Sequence, residues 1–140
     1  MEFIELNYSE NSDKTVSWID ADTRLKVPES LELTDSKISL GIKHDSEIVA
    51  RLVGNIFLNG FHIALLATSP DTRSAGYGGA LLDHAVQVAK DKGAHFVTLE
   101  TMSFNAPQFY LKHGFEVLKK IEDSPINGTS HFFMYKDLRH

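Results

Sequence analysis

The chain has 140 residues, of which 42% are apolar and 24% are charged, and its formal net charge is −5 at pH 7. This length and composition predict a single globular domain, residues 1–140, that buries about two thirds of its unfolded surface. The negative charge disfavours nucleic-acid binding, and the absence of cysteine excludes thiol catalysis, disulfides and thiolate metal sites.

No segment of the sequence predicts a membrane span or a metal site. No apolar run approaches the ~20 residues that cross a bilayer, and residues 1–5 lack the basic and apolar regions of a signal peptide. We therefore expect a soluble, cytoplasmic protein with no membrane partner. The seven histidines are scattered, and none stands at ligand spacing from another histidine or a carboxylate, so we expect no metal.

The first third of the chain predicts one helix and three strands. Residues 3–6 predict a short first strand, and the polar residues 11–13 offer an N-cap for a helix over residues 15–26. Residues 37–43 alternate polar and apolar side chains, which indicates a strand with one solvated face. A further strand follows over residues 47–58, where Gly54 indicates a bulge.

The most informative stretch is residues 61–92. Asn59 and Gly60 predict a hairpin turn, and residues 61–68 are apolar at both parities, as in a strand covered on both faces. A glycine-rich turn then leads into a helix that Gly93 ends. The buried stripe of this helix comprises Leu81, Leu82, Ala85, Val86 and Ala89.

The glycine-rich turn between this strand and this helix predicts an anion site. The first amides of a helix have no intrahelical acceptor, and the helix dipole places positive charge at the same end. Glycines there also let a phosphate approach the main chain. A tight turn that requires positive φ is the plainer interpretation of the same glycines.

The remaining elements complete an α/β pattern. Residues 95–101 predict a buried strand parallel to residues 61–68, because a helix crosses between the two. A short helix follows over residues 106–113, and then come strands over residues 115–121 and 131–136. The order β-α-βββ-α-β-α-ββ predicts a mixed, mostly antiparallel sheet with helices on both faces.

Two motifs in this order resemble those of the GCN5-related N-acetyltransferases (GNAT superfamily). The spacing from Arg73 through Gly76 to Gly78 is similar to the family's acyl-CoA signature, Gln/Arg-x-x-Gly-x-Gly/Ala. Residues 105–117 resemble its second signature, in which three residues separate Tyr110 from the Gly114-Phe115 pair. Asn105 departs from that signature, because it lies one residue closer to the tyrosine than the common pattern has it.

Two nucleotide-binding motifs fit the glycine turn less well. The Walker loop requires Lys-Ser/Thr after its last glycine, and none follows here. The dinucleotide fingerprint requires a third glycine where Leu81 stands, although Glu100 lies where a ribose-binding acid would be. We therefore disfavour a nucleotide-binding domain.

The resemblance implies a GNAT-like fold, an acetyl-CoA cosubstrate and a set of site residues. In GNAT folds the strand before the glycine turn diverges from its parallel neighbour and exposes main-chain groups, here those of Leu66, Ala67 and Thr68. Asn105 and Phe109 would contact the cofactor from the second motif. The pyrophosphate would lie against Arg73, Ser74, Ala75, Gly76, Tyr77, Gly78 and Gly79.

Two residues are candidates for the chemistry of acetyl transfer. An amine must lose a proton before it attacks, and Glu100, at the end of the strand beside the divergence, is the candidate base. Tyr110 stands where the family places the proton donor to the departing thiolate. Plainer roles stay open: Glu100 as a salt-bridge partner, Tyr110 as a packed aromatic residue and Arg73 as a surface residue.

The sequence thus predicts an N-acetyltransferase that moves an acetyl group directly from acetyl-CoA to a primary amine of a small molecule or peptide. A non-catalytic acyl-CoA-binding module is the alternative. The acceptor amine is not encoded in any recognisable motif. Relatives in the superfamily are often dimers, so a homodimer is possible by analogy.

Overall fold

The computed structural model describes residues 1–28, 33, 35–73 and 75–139 of the chain. These residues belong to two units, Met1–Thr34 and Asp35–His140. In the first unit, helix α1 spans Tyr8–Arg24, and the Asn7 side chain caps it by accepting a hydrogen bond from the amide of Glu10 at 3.0 Å.

Both sequence predictions for the first unit are wrong in detail. Residues 3–6 form no strand, because they precede the Asn7 cap and pair with none of the described strands. The helix also begins well before residue 15 and has ended by Leu25, its C-cap. Asn7 and Glu10 have the spacing of a capped helix start, whereas the prediction placed the N-cap at the polar residues 11–13.

In the second unit, six described strands form one mixed sheet with the order β1-β2-β3-β4-β6-β5. The pair β3–β4 is parallel, and the other neighbouring pairs are antiparallel. The strands are β1 (Asp35–His44), β2 (Glu47–Phe57), β3 (Gly60–Thr68), β4 (Phe96–Met102), β5 (Glu116–Glu122) and β6 (Ser130–Asp137). The predicted mixed, mostly antiparallel sheet is confirmed.

Two helices connect strands of this unit, α2 (Tyr77–Asp91) between β3 and β4 and α3 (Pro107–Lys112) between β4 and β5. Helix α2 packs on β1, β2 and β3. The predicted apolar stripe of α2 is confirmed, since its five residues are all buried. The largest fully buried side chains of the core are Phe61, Leu52, Leu81, Leu82, Met134 and Val97.

The hairpin between β2 and β3 turns one residue earlier than predicted. Phe57 pairs with Gly60, so Leu58 and Asn59 are the two turn residues. Leu58 accordingly adopts a positive φ of 55°. Gly60 is instead the first residue of β3, where a Cβ atom would lie 2.6 Å from the Phe96 ring, so the glycine is required for packing rather than for the turn.

Strand β3 carries a bulge that changes its direction. Its register on β2 shifts between Val53 and Gly54, which pair with Leu65 and Ile63, so that Ala64 is the extra residue. Such a bulge bends the strand that carries it. A Cβ atom at Gly54 would lie 2.4 Å from the carbonyl oxygen of His62, so only glycine permits this approach. The irregularity predicted at Gly54 is there, but the extra residue lies opposite it, on β3 rather than in residues 47–58.

The bend coincides with the end of the parallel pairing. Strands β3 and β4 pair over only three residues each, the last of them His62 with Thr98. From residue 63 onward the two strands diverge. The prediction that both faces of residues 61–68 are buried is therefore wrong for the second half, where Leu65 is 69% exposed.

Candidate active site

The divergence of β3 and β4 opens a cleft of about 690 Å³ in the second unit. Residues 63–68 of β3 line one wall, and residues 99–102 of β4 line the other. The loop after β4 and Tyr110 of α3 close one end. A second part of the cleft, of about 510 Å³, continues from Leu66, Ala67 and Thr68 toward the glycine turn.

The glycine turn places the start of α2 at this second part. Gly76 adopts a φ of 80°, which the left-handed region allows to glycine, and the helix begins at Tyr77. The amide of Ala80 donates to Gly76, so the amides of Tyr77, Gly78 and Gly79 precede the first bond of the helix. Gly76, Gly78 and Gly79 line the cleft.

Close packing explains why Gly78 has no side chain. A Cβ atom there would lie 3.2 Å from Thr68 Cγ2 and 3.8 Å from the Phe109 ring. Thr68 and Phe109 both line the same part of the cleft. A side chain at this position would therefore fill space between the helix start and the opposite wall.

Other residues predicted for the turn have different surroundings. The guanidinium of Arg73 is at the cleft, and the part of the chain that the structure describes provides it with no side-chain partner. The amide of Ala75 already donates to the Thr72 carbonyl at 3.1 Å. The ring of Tyr77 packs near His44, with centroids 5.8 Å apart, rather than over the cleft. Ser74 lies outside the described residues.

Tyr110 has both a packing contact and a position at the cleft. Its ring meets Phe109 and Phe115 edge-on, with centroid distances of 5.1 and 5.7 Å. Its side chain also lines both parts of the cleft. Burial raises the pKa of the Tyr110 phenol above its ordinary value, so the group stays protonated at neutral pH, as a proton donor must.

Glu100 lies on the β4 wall, and its side chain is 43% exposed. Its carboxylate oxygen Oε1 lies 2.8 Å from Nε2 of His131, on the neighbouring strand β6. The salt-bridge interpretation therefore has a partner in His131, and Glu100 is also one of the residues that line the cleft. His131 was not singled out in the sequence, because its proximity to Glu100 depends on the register of β4 with β6.

Asn105 lies at the larger part of the cleft, beside Ala106 and Phe104. Its side-chain amide makes one weak contact, to the Met102 sulfur at 3.8 Å. Phe109 lines the part of the cleft beside the glycine turn instead. The two residues predicted for cofactor contact from the second motif therefore lie at different parts of the cleft.

Within the described residues, no group of three or more histidine and carboxylate side chains could hold a metal. None of the helices that the structure describes is long and apolar enough to span a membrane.

A diverging parallel strand pair, a glycine turn that begins a helix, and a cleft between them are together the geometry that the sequence motifs predicted. The profile of the Acetyltransferase (GNAT) family matches residues 3–115. The chain belongs to this family. The GNAT fold predicted from the sequence is confirmed by both the profile and the sheet.

Three relatives illustrate the range of similarity. An acetyltransferase from Bacillus cereus ATCC 14579 is 28% identical, with a TM-score of 0.85 over 99% of both chains. The PaiA N-acetyltransferase from Thermoplasma acidophilum, solved in complex with coenzyme A, is 29% identical, with a TM-score of 0.61 over 73% of this chain and 61% of that one. The blasticidin-S acetyltransferase of Streptomyces morookaense is 33% identical over 89 residues, which are 63% of this chain and 65% of that protein.

Proposed function

We propose that this GNAT protein is an acetyl-CoA-dependent N-acetyltransferase with a primary amine as the acceptor. The cleft carries the proposal, because its two adjoining parts share Leu66, Ala67 and Thr68, and the start of α2 lines one part while Glu100 lines the other. One end of the cleft thus offers main-chain donors and the positive charge of Arg73 for an anion. The other end offers a carboxylate for an amine.

The residues of the smaller part of the cleft fit coenzyme A. The amides of Gly78 and Gly79, together with the Arg73 side chain, provide donors and positive charge for a pyrophosphate. Apolar surface from Leu66 and Phe109 suits the pantetheine arm. When bound, acetyl-CoA supplies the activated acetyl group and the thiol that leaves.

Three groups of this chain would assist the transfer. Main-chain amides on the β3 edge that faces the opening would donate to an oxygen on which negative charge develops. The Glu100 carboxylate would take the proton that an ammonium must lose before it becomes a nucleophile. The Tyr110 hydroxyl, which is protonated at neutral pH because burial raises the pKa of the phenol, would give its proton to the leaving sulfur.

The acceptor in this proposal is a small-molecule amine. A curated relative that is 33% identical over the matched region is named for acetylation of blasticidin S. Side chains of Leu65 and Phe104, which are 69% and 56% exposed, provide apolar surface at the wider part of the cleft, near Glu100. An amine attached to an apolar or planar body would match this combination.

A binding assay followed by a turnover assay tests the proposal. Coenzyme A and acetyl-CoA should raise the melting temperature, whereas ATP and NAD should not. At a hundredfold excess of ligand over Kd, the expected stabilisation is about 2.7 kcal/mol. A panel of amines that includes blasticidin S, polyamines and peptides is then screened for thiol release. Stabilisation without thiol release from any amine would favour the non-catalytic module, and no stabilisation would refute the proposal.

A further inference from the structure

The contact between Glu100 and His131 joins two neighbouring strands of the sheet. In the antiparallel register of β4 on β6, Glu100 pairs with Phe133 and Met102 pairs with His131. Alternate residues of a strand share a face, so Glu100 and His131 are diagonal neighbours on one face. The distance from Nε2 to Oε1 is 2.8 Å, which is short enough for a charge-assisted hydrogen bond.

The imidazole of His131 is held in place independently of Glu100. Its ring stacks on the Phe133 ring, with centroids 4.7 Å apart and an angle of 11° between the planes. Only 17% of the His131 side chain is exposed, compared with 43% for Glu100. The histidine is therefore the more constrained partner of this pair, and the glutamate is the more exposed one.

The backbone beside His131 is fixed as well. The amide of Ser103 donates to the Ser130 carbonyl at 2.8 Å, and the amide of Ser130 donates to the Ser103 hydroxyl at 2.9 Å. These two bonds join the loop after β4 to the first residue of β6. The end of β4, the start of β6 and the imidazole therefore form one rigid support next to the cleft.

The hydrogen bond occupies one oxygen of the Glu100 carboxylate. Across the residues that the structure describes, His131 is the sole hydrogen-bond partner of the Glu100 side chain. The other oxygen, Oε2, has no hydrogen bond among the described residues, so it is available to a ligand. A glutamate without such an anchor samples several rotamers, and the entropy lost when it is ordered for each transfer would lower the rate of proton transfer.

We infer that His131 is a positioning residue, which holds the Glu100 carboxylate so that Oε2 takes the proton of the acceptor amine. This inference rests on the proposed function. In the step it supports, the N–H bond of the ammonium breaks, the proton passes to Oε2, and the electron pair stays on the nitrogen. His131 keeps its own Nε2–H and touches no substrate.

Two substitutions of similar polarity test the hydrogen bond. His131→Gln places a side-chain amide near the position of Nε2, so it keeps a donor for Glu100. His131→Asn is shorter and cannot reach the carboxylate. We expect His131→Asn to lower kcat about tenfold or more, the effect of losing a hydrogen bond to a charged group, while His131→Gln keeps most of the activity. The KM for acetyl-CoA should be unchanged in both.

The chain contains a matched control on the same strand. His62 Nδ1 and Thr98 Oγ1 lie 2.9 Å apart, so they form another cross-strand histidine contact, two residues before Glu100 and outside the cleft. Thr98→Val removes that contact with little change in shape. It should leave kcat unaltered, even if it lowers the melting temperature as much as His131→Asn does.

A Glu100→Gln background and a spectroscopic measurement complete the test. In the Glu100→Gln background, His131→Asn should cause no further loss of kcat. In the protein that carries only Glu100→Gln, the 15N resonance of His131 Nε2 should be shifted from its wild-type value. Equal kcat for wild type and His131→Asn, or an unshifted resonance, would overturn the inference while the proposed function stood. A wild type that neither binds coenzyme A nor acetylates any amine would overturn both.

Discussion

Arg73 provides the sharpest test of how the cleft binds an anion. Arg73 is exposed and lines both parts of the cleft, and the described part of the chain offers its guanidinium no side-chain partner. Two unit charges 4 Å apart attract by about 1 kcal/mol in water and by about 4 kcal/mol at the dielectric constant of a protein surface. Because Arg73 is exposed, the lower value is the better guide.

Arg73→Ala should therefore weaken the binding of coenzyme A about five- to tenfold, which corresponds to about 1–1.4 kcal/mol. Isothermal titration calorimetry measures this change directly. The difference between wild type and variant should shrink at 1 M salt, where the Debye length falls to about 3 Å. A purely main-chain site would predict no such difference at either salt concentration.

Lys92→Ala is the matched control, because it removes the same charge at the opposite end of α2, where Lys92 is the exposed C-cap. It should leave the dissociation constant within twofold of the wild-type value. Equal affinities of Arg73→Ala and Lys92→Ala would refute a direct role for the guanidinium and leave the amides of the glycine turn as the anion site.

Three further substitutions test the cleft and its support. Tyr110→Phe should lower kcat about tenfold or more without changing coenzyme A affinity, because it removes the proton but keeps the ring. The wild type should lose stability above pH 10, because a tyrosine pKa raised by folding stabilises the protein only while the phenol is protonated, and Tyr110→Phe should abolish this loss. Gly54→Ala should destabilise the fold by about 1–3 kcal/mol in urea titrations, because its Cβ would meet the His62 carbonyl. Leu65→Ala should raise the KM of the acceptor about fivefold and leave that of acetyl-CoA unchanged, through about 1 kcal/mol of lost apolar contact.

For each of these three predictions, a particular result would contradict the reasoning. A kcat for Tyr110→Phe within twofold of wild type would leave the tyrosine a packing role only. Val53→Ala, at a 39% exposed neighbour of Gly54, is the control for stability, and an equal loss in both variants would refute the steric argument. For Leu65→Ala, parallel changes in both KM values would mean that the side chain supports the cleft rather than the acceptor.

The sequence predicted those parts of the fold that depend on local patterns. The buried stripe of α2 could be predicted because its apolar residues recur with the helical period, and all five are buried. The strand irregularity beside Gly54 could be predicted because glycine weakens the interior of a strand and often marks a bulge. The glycine turn followed from motif spacing, and the structure has the start of α2 there.

The features that sequence did not predict depend on contacts between distant segments. The exposure of Leu65 results from the divergence of β3 and β4, which the apolar composition of residues 61–68 concealed. The contact of His131 with Glu100 depends on a strand register that no local pattern encodes. The packing of the Tyr77 ring near that of His44, more than thirty residues away in sequence, likewise depends on the fold rather than on a local pattern.

The positions that line the cleft between β3 and β4 should differ in how freely they can be substituted during evolution, because some contribute main-chain groups and others contribute side chains. Under the proposed function the donors along the β3 edge are main-chain groups, which every amino acid except proline supplies in full. We therefore expect this edge to tolerate most replacements at Ala67 but not Ala67→Pro. Leu65 and Phe104, by contrast, contribute their side chains. A lineage could thus exchange acceptors through these two positions while its acetyl chemistry stayed intact, and an engineer could do the same.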